Sequence, residues 1–402
     1  MGKDIKTATI TLKPEREKSL RRRHPWVFSG AVAAVNGNPA TGETVAVLDS
    51  GGAFLAWAAY SPKSQIRARA WSFDPKEEIG PDFLRRRIRE SIERRKTAAG
   101  DRNDSNAARL IYSESDGLPG LIADRYADVI VIQSLTAGSE HFKEIIADIL
   151  AETTGCACVY ERSDTGAREQ EGLAASVGVL RGGPLPEKIL ISENGLKYYV
   201  DAAHGHKTGF YLDQSENRSI VRGFSSEAEV LNCFSYTGGF SVAALAGGAK
   251  RVTEVDSSES ALSLAAENAA LNGFDKKQLE QVRADVFDTL RAFVAEGKKY
   301  DLVVLDPPKF AASKEHLPKA ERAYKDINML GMKLLRPGGL LFTFSCSGAV
   351  SGEDFRKYAA WAALDAGVNT RIVRILSQAA DHPIALNFPP SEYLKGLAVQ
   401  VW

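Results

Sequence analysis

The sequence predicts an α/β protein with an open parallel sheet in its second half, and three observations lead to this prediction. Residues 7–73 alternate apolar and polar positions in short runs separated by turn signals, and residues 76–188 mix strand-like and helical patterns. Beyond residue 188, apolar strands alternate with helical segments. We therefore expect a β-rich domain over 1–75, a small central α+β domain over 76–188 and a doubly wound sheet over 189–402.

Length and composition are typical of a globular protein with more than one core. The 402 residues suit two or three domains, and 44% apolar with 25% charged residues argues against disorder. No apolar run approaches the roughly 20 residues of a membrane helix, and the N-terminus lacks a signal-peptide apolar region. Four cysteines make no disulfide framework. We expect a cytoplasmic protein with no membrane partner.

The elements of the first half follow from its periodicity. Turn signals stand at 36–39 and 49–52, and the segment 81–97 places Phe83, Leu84, Ile88 and Ile92 at helical spacing. Strands are predicted at 109–113, 120–124, 129–135 and 158–161, with a helix near 140–152.

Basic residues crowd the first hundred positions, although the 51 basic and 51 acidic residues of the chain cancel. This distribution predicts a basic face toward the N-terminus. Arg22 and Arg23 lie close before Trp26 and Phe28, so cations that can bind phosphate stand beside rings that can stack on unpaired bases. The alternative is a solvated basic patch with both aromatic residues in the core.

The second half begins with a predicted hairpin, 189–192 and 196–200, around a turn at 193–195. The sheet strands are predicted at 230–233, 251–256, 281–284, 302–305 and 340–344, with helical patterns between them. The last two, 370–376 and 396–402, have little helix between them and predict an antiparallel pair. Such a pair is typical of methyltransferase sheets and less so of dehydrogenases.

A glycine loop and two acidic residues follow successive predicted strands. The loop Phe234-Ser235-Tyr236-Thr237-Gly238 lies where doubly wound sheets bind a ligand. Asp256 can accept hydrogen bonds from both hydroxyls of a ribose, and Asp285 would lie near an adenine. The loop lacks the G-x-G-x-x-G pattern that cradles a pyrophosphate, whereas S-adenosylmethionine has no phosphate to hold. These residues favour that cofactor; the alternative is an ordinary tight turn.

The fourth predicted strand of the sheet runs into Asp306-Pro307-Pro308-Lys309-Phe310. Two prolines fix a stiff, non-helical loop that can present a carboxylate and backbone carbonyls to a planar base. A related loop in N-methyltransferases holds the amino group being methylated. The motif therefore indicates a base but not which atom is modified, and a plain turn is the alternative.

Cys346 follows the fifth predicted strand, beside the Asp306 loop. C5 of cytosine is too weak a nucleophile for direct methylation, but a thiolate that adds to C6 makes C5 able to attack a methyl group. This position favours a nucleophile over the common alternative, an inert buried cysteine. The remaining cysteines have no partners at zinc-like spacing, so we expect no metal and core positions for Cys156, Cys158 and Cys233.

The segment 204–218 is dense in polar and aromatic groups. We expect it to cover the cofactor, through Gln214, or to grip a phosphate, through Lys207. The alternative, compatible with both, is a helix N-terminus capped at Asp213 with Arg218 on its solvated face.

Several of these stretches match a known family over nearly the whole chain: 22–30, 114–120, 206–209, 211–214, 232–240, 306–310, 324–328 and 345–348. In them the chain closely resembles the ribosomal RNA large subunit methyltransferase I family, bacterial enzymes that make 5-methylcytosine in 23S ribosomal RNA. The resemblance implies a PUA domain, a small central α+β domain and a Rossmann-like class I methyltransferase domain.

The resemblance also implies roles for individual residues: Cys346 as the nucleophile and Asp306 as a base-contacting catalytic residue. It implies 23S ribosomal RNA or a large-subunit assembly intermediate as partner, and relatives are often homodimers. The expected contact residues are, for S-adenosylmethionine, Gln214, Phe234, Ser235, Tyr236, Thr237, Gly238, Asp256, Asp285 and Asp306, and for RNA, Arg22, Arg23, Lys207 and Lys309.

Pro308 stands where another group of cytosine-5 RNA methyltransferases has a second cysteine, so the group that assists product release stays open. Two alternatives to cytosine-5 methylation also stay open. A guanine or adenine N-methyltransferase of the same fold would need only the Asp306 loop, and a non-catalytic RNA-binding ribosome-assembly factor would keep a vestigial cofactor site. A dinucleotide oxidoreductase is disfavoured because the pyrophosphate pattern is missing.

Overall fold

The computed structural model of the protein describes residues 8–99, 105–311 and 313–402, so position 7, where the predicted β-rich segment begins, lies outside it. The chain folds into two compact units. The first contains the chain up to Ile191 with Val200–Leu212 and Ala380–Ser391, and the second contains Ser192–Tyr199, Asp213–Ala379 and Glu392–Trp402. The first unit thus spans both predicted N-terminal domains, and the boundaries predicted near 75 and 188 stay a prediction.

A six-stranded sheet forms the N-terminal part of the first unit, as the alternating pattern predicts. Its spatial order is β2-β6-β5-β4-β1-β3, with β1 parallel to β4. Ile10, Val27 and Val45 are among its buried residues. The elements are β1 (Thr9–Leu12), α1 (Lys18–Arg21), β2 (Trp26–Phe28), β3 (Val32–Asn36), β4 (Thr44–Leu48), β5 (Phe54–Tyr60) and β6 (Ile66–Ser72).

A five-stranded sheet in the order β11-β10-β9-β8-β7 follows in the same unit. The elements are α2 (Pro81–Ala99), β7 (Ala107–Tyr112), β8 (Leu121–Tyr126), β9 (Val129–Ser134), α3 (Ala137–His141), α4 (Lys143–Thr154), β10 (Cys158–Ser163), α5 (Gly166–Glu171) and β11 (Ser176–Gly182). The four apolar residues predicted on one face of α2 are all buried. Trp71 of β6 packs into the same core, which joins the two sheets.

Two later segments return to the first unit through buried hydrogen bonds. Asp124 is fully buried and accepts two bonds of 2.7 Å from the guanidinium of Arg109. Thr208 donates its hydroxyl to the same carboxylate at 2.6 Å, and the backbone N–H of Arg109 donates to Asp381 at 2.8 Å. A buried carboxylate is stable only when fully hydrogen-bonded, so this network fixes both segments on the second sheet.

The hairpin of β12 (Ile189–Glu193) and β13 (Leu196–Val200) forms as predicted, with Asn194 and Gly195 in the left-handed conformation that such turns need. The second unit then builds a seven-stranded sheet. Its elements are α6 (Ser215–Gly223), β14 (Glu229–Cys233), α7 (Gly239–Ala246), β15 (Arg251–Asp256), α8 (Glu259–Leu271), β16 (Leu279–Arg283), α9 (Val286–Ala295), β17 (Tyr300–Leu305), α10 (Leu317–Lys333), β18 (Leu335–Ser345), α11 (Gly352–Ala366), β19 (Thr370–Ser377) and β20 (Lys395–Val401).

The seven strands lie in the order β16-β15-β14-β17-β18-β20-β19, which confirms the Rossmann-like class predicted for this half. The predicted antiparallel pair is present, because β20 runs antiparallel to both β18 and β19. The pair of β20 and β19 forms one edge of the sheet, with β19 outermost. The strand order reverses at β14, whose neighbours are β15 and β17, and doubly wound sheets bind ligands at such a switch point.

Gly396 lets β20 fit between its neighbours. A Cβ at this position would lie 2.6 Å from the ring of Phe344 and 2.9 Å from Cβ of Leu376. We expect Gly396→Ala to lower the unfolding free energy of the second unit by about 1–3 kcal/mol, because the core must shift to admit the methyl group. Hydrogen exchange in β18 and β20 measures this. Gly223→Ala, where a Cβ meets open space, is the control, and equal protection in both variants would contradict the prediction.

Candidate active site

Three loops meet at one edge of the seven-stranded sheet. Strands β14, β17 and β18 are parallel neighbours, with Cys233 opposite Leu305 and Leu305 opposite Thr343. Their carboxyl ends therefore lie side by side, and each continues into a predicted functional segment. The glycine loop follows β14, the Asp306 loop follows β17 and Cys346 follows β18. The structure thus brings together the residues predicted to carry the chemistry.

The glycine loop has a strained backbone. Phe234 and Tyr236 are left-handed at φ 58° and 47°, a conformation that costs a non-glycine residue about 1–3 kcal/mol. Gly238 is left-handed too, and a Cβ there would lie 2.8 Å from Cβ of Ala265. The strain is held by hydrogen bonds, since the loop N–H groups of Ser235 and Tyr236 donate to β15 at 3.2 and 2.8 Å. Strain of this kind concentrates at functional sites.

Asp256 is fixed by two backbone donors at the end of β15. Its carboxylate accepts from the N–H of Tyr236 at 2.8 Å and of Ser258 at 2.9 Å, one on each oxygen. Each carboxylate oxygen has a second lone pair, so the group can still accept hydrogen bonds from a ligand. Asp285 follows β16 at the same edge, where it is exposed and caps α9 by accepting from the N–H of Asp288 at 3.1 Å.

The glycine loop also contains buried hydroxyls with hydrogen-bonding capacity to spare. The side-chain oxygens of Ser235 and Thr237 are buried and have no hydrogen-bond partner among the residues that the structure describes. An unsatisfied buried hydroxyl costs about 1–3 kcal/mol. A ligand with donors and acceptors would recover this cost, so the loop fits a polar small molecule.

Glu254 is fully buried behind this loop. It accepts from the hydroxyl of Ser241 at 2.6 Å and from the amide of Gln281 at 2.7 Å, and Ser241 contacts the amide of Asn232 at 2.9 Å. Burial raises the pKa of the Glu254 carboxyl to about 7, against the two hydrogen bonds, and the charge of Asp256 adds to the rise. The carboxyl therefore titrates near neutral pH and is neutral at lower pH. No sequence motif indicated this residue.

Gln214 is buried, as a residue covering a site would be, and its side-chain carbonyl accepts from Asn217 at 2.6 Å. The expectation that Arg218 lies on a solvated helix face was wrong. It is buried in a bidentate pair with Glu193, at 2.7 and 2.6 Å. Glu193 ends β12, which lies well before α6 in the sequence. The helix α6 begins after Gln214 without a side-chain cap, and Asp213 instead accepts from the hydroxyl of Tyr393.

The Cys346 thiol faces the Asp306 loop. Sγ lies 3.9 Å from the carbonyl oxygen of Pro307, and the cysteine is partly buried. Asp306 is partly buried at the end of β17, and Lys309 is exposed. The thiol and the stiff proline loop thus form two walls of one small region.

A buried tyrosine ties these two walls together. The Tyr324 hydroxyl accepts from Ser345 Oγ at 2.8 Å and lies 3.1 Å from Ser347 Oγ, so it contacts both neighbours of Cys346. Ser347 in turn accepts from the N–H of Ala311 at 3.2 Å, beyond the proline loop. Burial raises the pKa of Tyr324, so its hydroxyl stays neutral. Tyr324 lies in the stretch 324–328 that resembles the family, but the sequence alone indicated no role for it.

Comparisons with known proteins agree with this geometry. A family model described as S-adenosylmethionine-dependent methyltransferase matches residues 168–376, and a PUA-like domain model matches residues 10–73. A ribosomal RNA large subunit methyltransferase I from Aeromonas salmonicida is 50% identical over 97% of this chain and 98% of its own. One from Alteromonas mediterranea is 48% identical over 98% and 99%. The chain belongs to the ribosomal RNA large subunit methyltransferase I family.

Solved structures show the same fold as this family member. A chain described as a SAM-dependent methyltransferase from Streptococcus mutans superposes with a TM-score of 0.84 at 23% identity, covering 98% of this chain and all of that one. Another, a methyltransferase crystallised with S-adenosylhomocysteine, has a TM-score of 0.84 at 24% identity and the same coverage. The cofactor predicted from the sequence, S-adenosylmethionine, is confirmed by the family, and the unsatisfied hydroxyls of the glycine loop fit it.

The predicted RNA-contacting residues of the family member fall in both units. Arg22, Arg23 and Lys207 belong to the first, where all three side chains are exposed, and Lys309 belongs to the second. Trp26 is only partly exposed, and its indole N–H donates to the Glu114 carboxylate at 2.7 Å, whereas Phe28 is 51% exposed. Phe28 therefore offers the larger stacking surface of the two, and it is not a core residue.

The basic helix α2 is less cationic than its sequence suggests. Its arginines pair with acidic side chains, including Arg86 with Glu77 at 2.7 Å and Arg95 with Asp116 at 2.6 Å. The first unit therefore has a mixed surface along this helix, and the predicted basic face is limited to its exposed clusters. In the part of the chain that the structure describes, no helix could span a membrane and no cluster of His, Cys, Asp or Glu could hold a metal ion.

Glu254 makes the stability of the second unit depend on pH. Its folded pKa of about 7 lies above its ordinary value of 4.5, so its contribution is complete below pH 4.5 and is lost as the pH rises through about 7. Over this window we expect the wild type to lose up to about 3 kcal/mol relative to Glu254→Gln, which cannot ionise. Hydrogen exchange of β15 amides across pH tests this. The exposed Glu259→Gln is the control, and parallel pH profiles for wild type and Glu254→Gln would refute the prediction.

Proposed function

We propose that this protein methylates C5 of a cytosine in 23S ribosomal RNA through a covalent bond between Cys346 and C6 of the base. The observation that supports this most strongly is the position of the thiol. It stands at the carboxyl end of β18, and its sulfur lies 3.9 Å from the Pro307 carbonyl oxygen of the neighbouring loop. The glycine loop follows β14, which is separated from β18 by one strand, β17. The names of the relatives support ribosomal RNA of the large subunit as substrate.

Different residues would bind different parts of the cofactor. Asp256, held by two backbone donors, would accept the ribose hydroxyls, and Asp285 would border the adenine. Ser235, Thr237 and the other loop residues from Phe234 to Gly238 would contact the remaining polar groups, with Gln214 covering the site. When bound, S-adenosylmethionine supplies an electrophilic methyl group.

The reaction then follows from the thiol and the base. Cys346 Sγ, as thiolate, adds to C6, and the electrons of the C5–C6 double bond make C5 nucleophilic. C5 takes the methyl group, and S-adenosylhomocysteine would be the leaving group. A base removes the C5 proton, and the Sγ–C6 bond breaks to restore the aromatic ring. Asp306 would hydrogen-bond the N3/N4 edge of cytosine and stabilise the charge that develops during addition.

RNA capture would use both units. The PUA-like residues 10–73 carry the exposed Arg22 and Arg23, and Lys207 stands 4.5 Å above the ring of Tyr211. Lys309 is exposed on the Asp306 loop. Such cations bind phosphate with a salt-dependent affinity. The substrate in this proposal is 23S ribosomal RNA or a large-subunit assembly intermediate in the cytoplasm. The homodimer implied by the resemblance stays a prediction.

The role of Asp256 is testable with the cofactor product alone. We expect Asp256→Ala to bind S-adenosylhomocysteine roughly tenfold to a hundredfold more weakly, because it loses about 1.5–3 kcal/mol of hydrogen bonding to a charged acceptor. Calorimetry with S-adenosylhomocysteine and its 2′,3′-dideoxy analogue separates ribose contact from loop damage. If Asp256 holds the hydroxyls, the analogue binds wild type and variant almost equally. A full loss with the analogue too would assign Asp256 to loop support, and the exposed Asp288→Ala is the control.

The role of Cys346 is testable without knowing which cytosine is modified. RNA tritiated at cytosine C5 should release tritium with the wild type, because the C5 hydrogen must leave before the thiolate is freed. Cys346→Ala should lose this release by several orders of magnitude while still binding S-adenosylmethionine. RNA containing 5-fluorocytosine should trap the wild type as an adduct, since fluorine cannot leave as a cation. Cys156→Ala, partly exposed in the other unit, is the control.

Other outcomes of these assays would favour the other readings. Methyl transfer without tritium release, or full activity of Cys346→Ala, would indicate methylation of a nitrogen by an enzyme of the same fold. Cofactor binding without turnover on any ribosomal RNA or assembly particle would indicate a non-catalytic RNA-binding factor. Mass-spectrometric mapping of ribosomal RNA from cells with and without the protein would then identify the nucleotide.

A further inference from the structure

Lys395, the first residue of β20, stands beside the thiol loop, by which we mean Ser345-Cys346-Ser347-Gly348. In the antiparallel pairing of β18 and β20 it lies opposite Ser345, so the two side chains share a face of the sheet. Its ammonium donates to the carbonyl oxygen of Ser347 at 2.8 Å. Lys395 is thus linked to both neighbours of Cys346, to Ser345 by strand pairing and to Ser347 by a hydrogen bond.

The charge of Lys395 is not cancelled by an ion pair. Among the described residues no carboxylate lies within 4.0 Å of its ammonium. Burial lowers the pKa of Lys395, and the positive charge of Lys309 adds to this, whereas Cys346 and Glu392 act in the opposite direction. Tyr324, whose hydroxyl contacts both neighbours of the thiol, is buried and neutral. The loop that faces the thiol also carries the partly buried Asp306 and the exposed Lys309. A partly buried ammonium without an ion-pair partner gains most when a negative charge forms nearby.

One contact of the thiol favours its neutral form. Sγ lies 3.9 Å from the carbonyl oxygen of Pro307, which can accept a weak hydrogen bond from a thiol. A thiolate at the same place would face the negative end of the carbonyl dipole. This contact therefore favours the neutral thiol, whereas a positive charge nearby would favour the thiolate.

We propose that Lys395 is a positioning residue that stabilises Cys346 as a thiolate. This rests on the proposed cytosine-5 reaction and extends it. The thiol proton leaves to solvent, Lys395 stays an ammonium, and the thiolate adds to C6. When the Sγ–C6 bond breaks, the electron pair returns to sulfur, and the same ammonium stabilises the leaving thiolate. One lysine would thus assist both addition and release in a chain that has Pro308 in place of a second cysteine.

The test measures thiol reactivity rather than methylation. Alkylation of Cys346 by iodoacetamide, followed across pH by peptide mass spectrometry, gives the midpoint at which the thiolate forms. We expect a wild-type midpoint below that of free cysteine, about 8.5. Lys395→Gln, which keeps a donor for the Ser347 carbonyl, should shift it upward by at least about one pH unit and slow alkylation at pH 7 roughly tenfold. Lys395→Arg should restore the low midpoint.

Controls separate charge from structure. Lys250→Gln removes a lysine that pairs with Glu227 at 3.1 Å, near the opposite ends of the strands, and should leave the midpoint unchanged. S-adenosylmethionine binding checks that each variant is folded. A Lys395→Gln midpoint equal to wild type would reduce the lysine to an anchor for the Ser347 carbonyl and overturn the proposal. A wild-type midpoint at or above about 8.5 would overturn it without any variant.

The two proposals fail separately. Alkylation needs neither RNA nor methyl transfer, so a thiolate stabilised by Lys395 would be seen even in a protein that methylates nitrogen. Conversely, tritium release that depends on Cys346 but not on Lys395 would support the proposed function and contradict this inference.

Discussion

The order of the strands around β14 determines where chemistry can occur in the second unit. Because β15 and β17 flank β14, and β18 follows β17, four carboxyl ends open onto one edge of the sheet. Asp256, Asp306 and Cys346 are far apart in sequence, and they reach the same edge of the sheet because the parallel strands end in register. Each of these residues ends its strand or directly follows it, so the sheet fixes the position of its backbone.

Rigidity at this edge is maintained by buried polar groups rather than by packing alone. Glu254 supports the strained glycine loop from behind, and Tyr324 holds both flanks of the thiol. Each group is costly unless its hydrogen bonds are made, so small displacements of the loops are penalised. Such a site can select between closely similar orientations of a flat base, which a flexible pocket could not do.

The sequence reading succeeded where periodicity and local motifs decide structure. The helix at 81–97, the hairpin at 189–200 and the strands of the second unit were all predicted close to their observed positions, since each has a clear apolar pattern.

The predictions failed where partners distant in sequence determine the environment of a residue. Arg218 looked solvated because Glu193 lies on a distant strand, and β11 was missed because its glycines and exposed positions give no strand pattern. Glu254, Tyr324 and Lys395 gained their significance only from what the fold places beside them. The roles proposed for the predicted site residues rest on the resemblance and on their placement at the strand ends.

The placement of β20 has a consequence for how this half of the protein acquires its structure. Strand β19 comes earlier in the chain, yet it joins the sheet only through β20, which inserts between it and β18. The strands therefore cannot join the sheet in the order in which they are synthesised. β19 can pair only after β20, which follows it in the chain, has been made. Long-range pairing of this kind is slow and entropically costly. Since β20 also delivers Lys395 to the thiol loop, the surroundings of the cysteine are completed in the same step that closes the sheet.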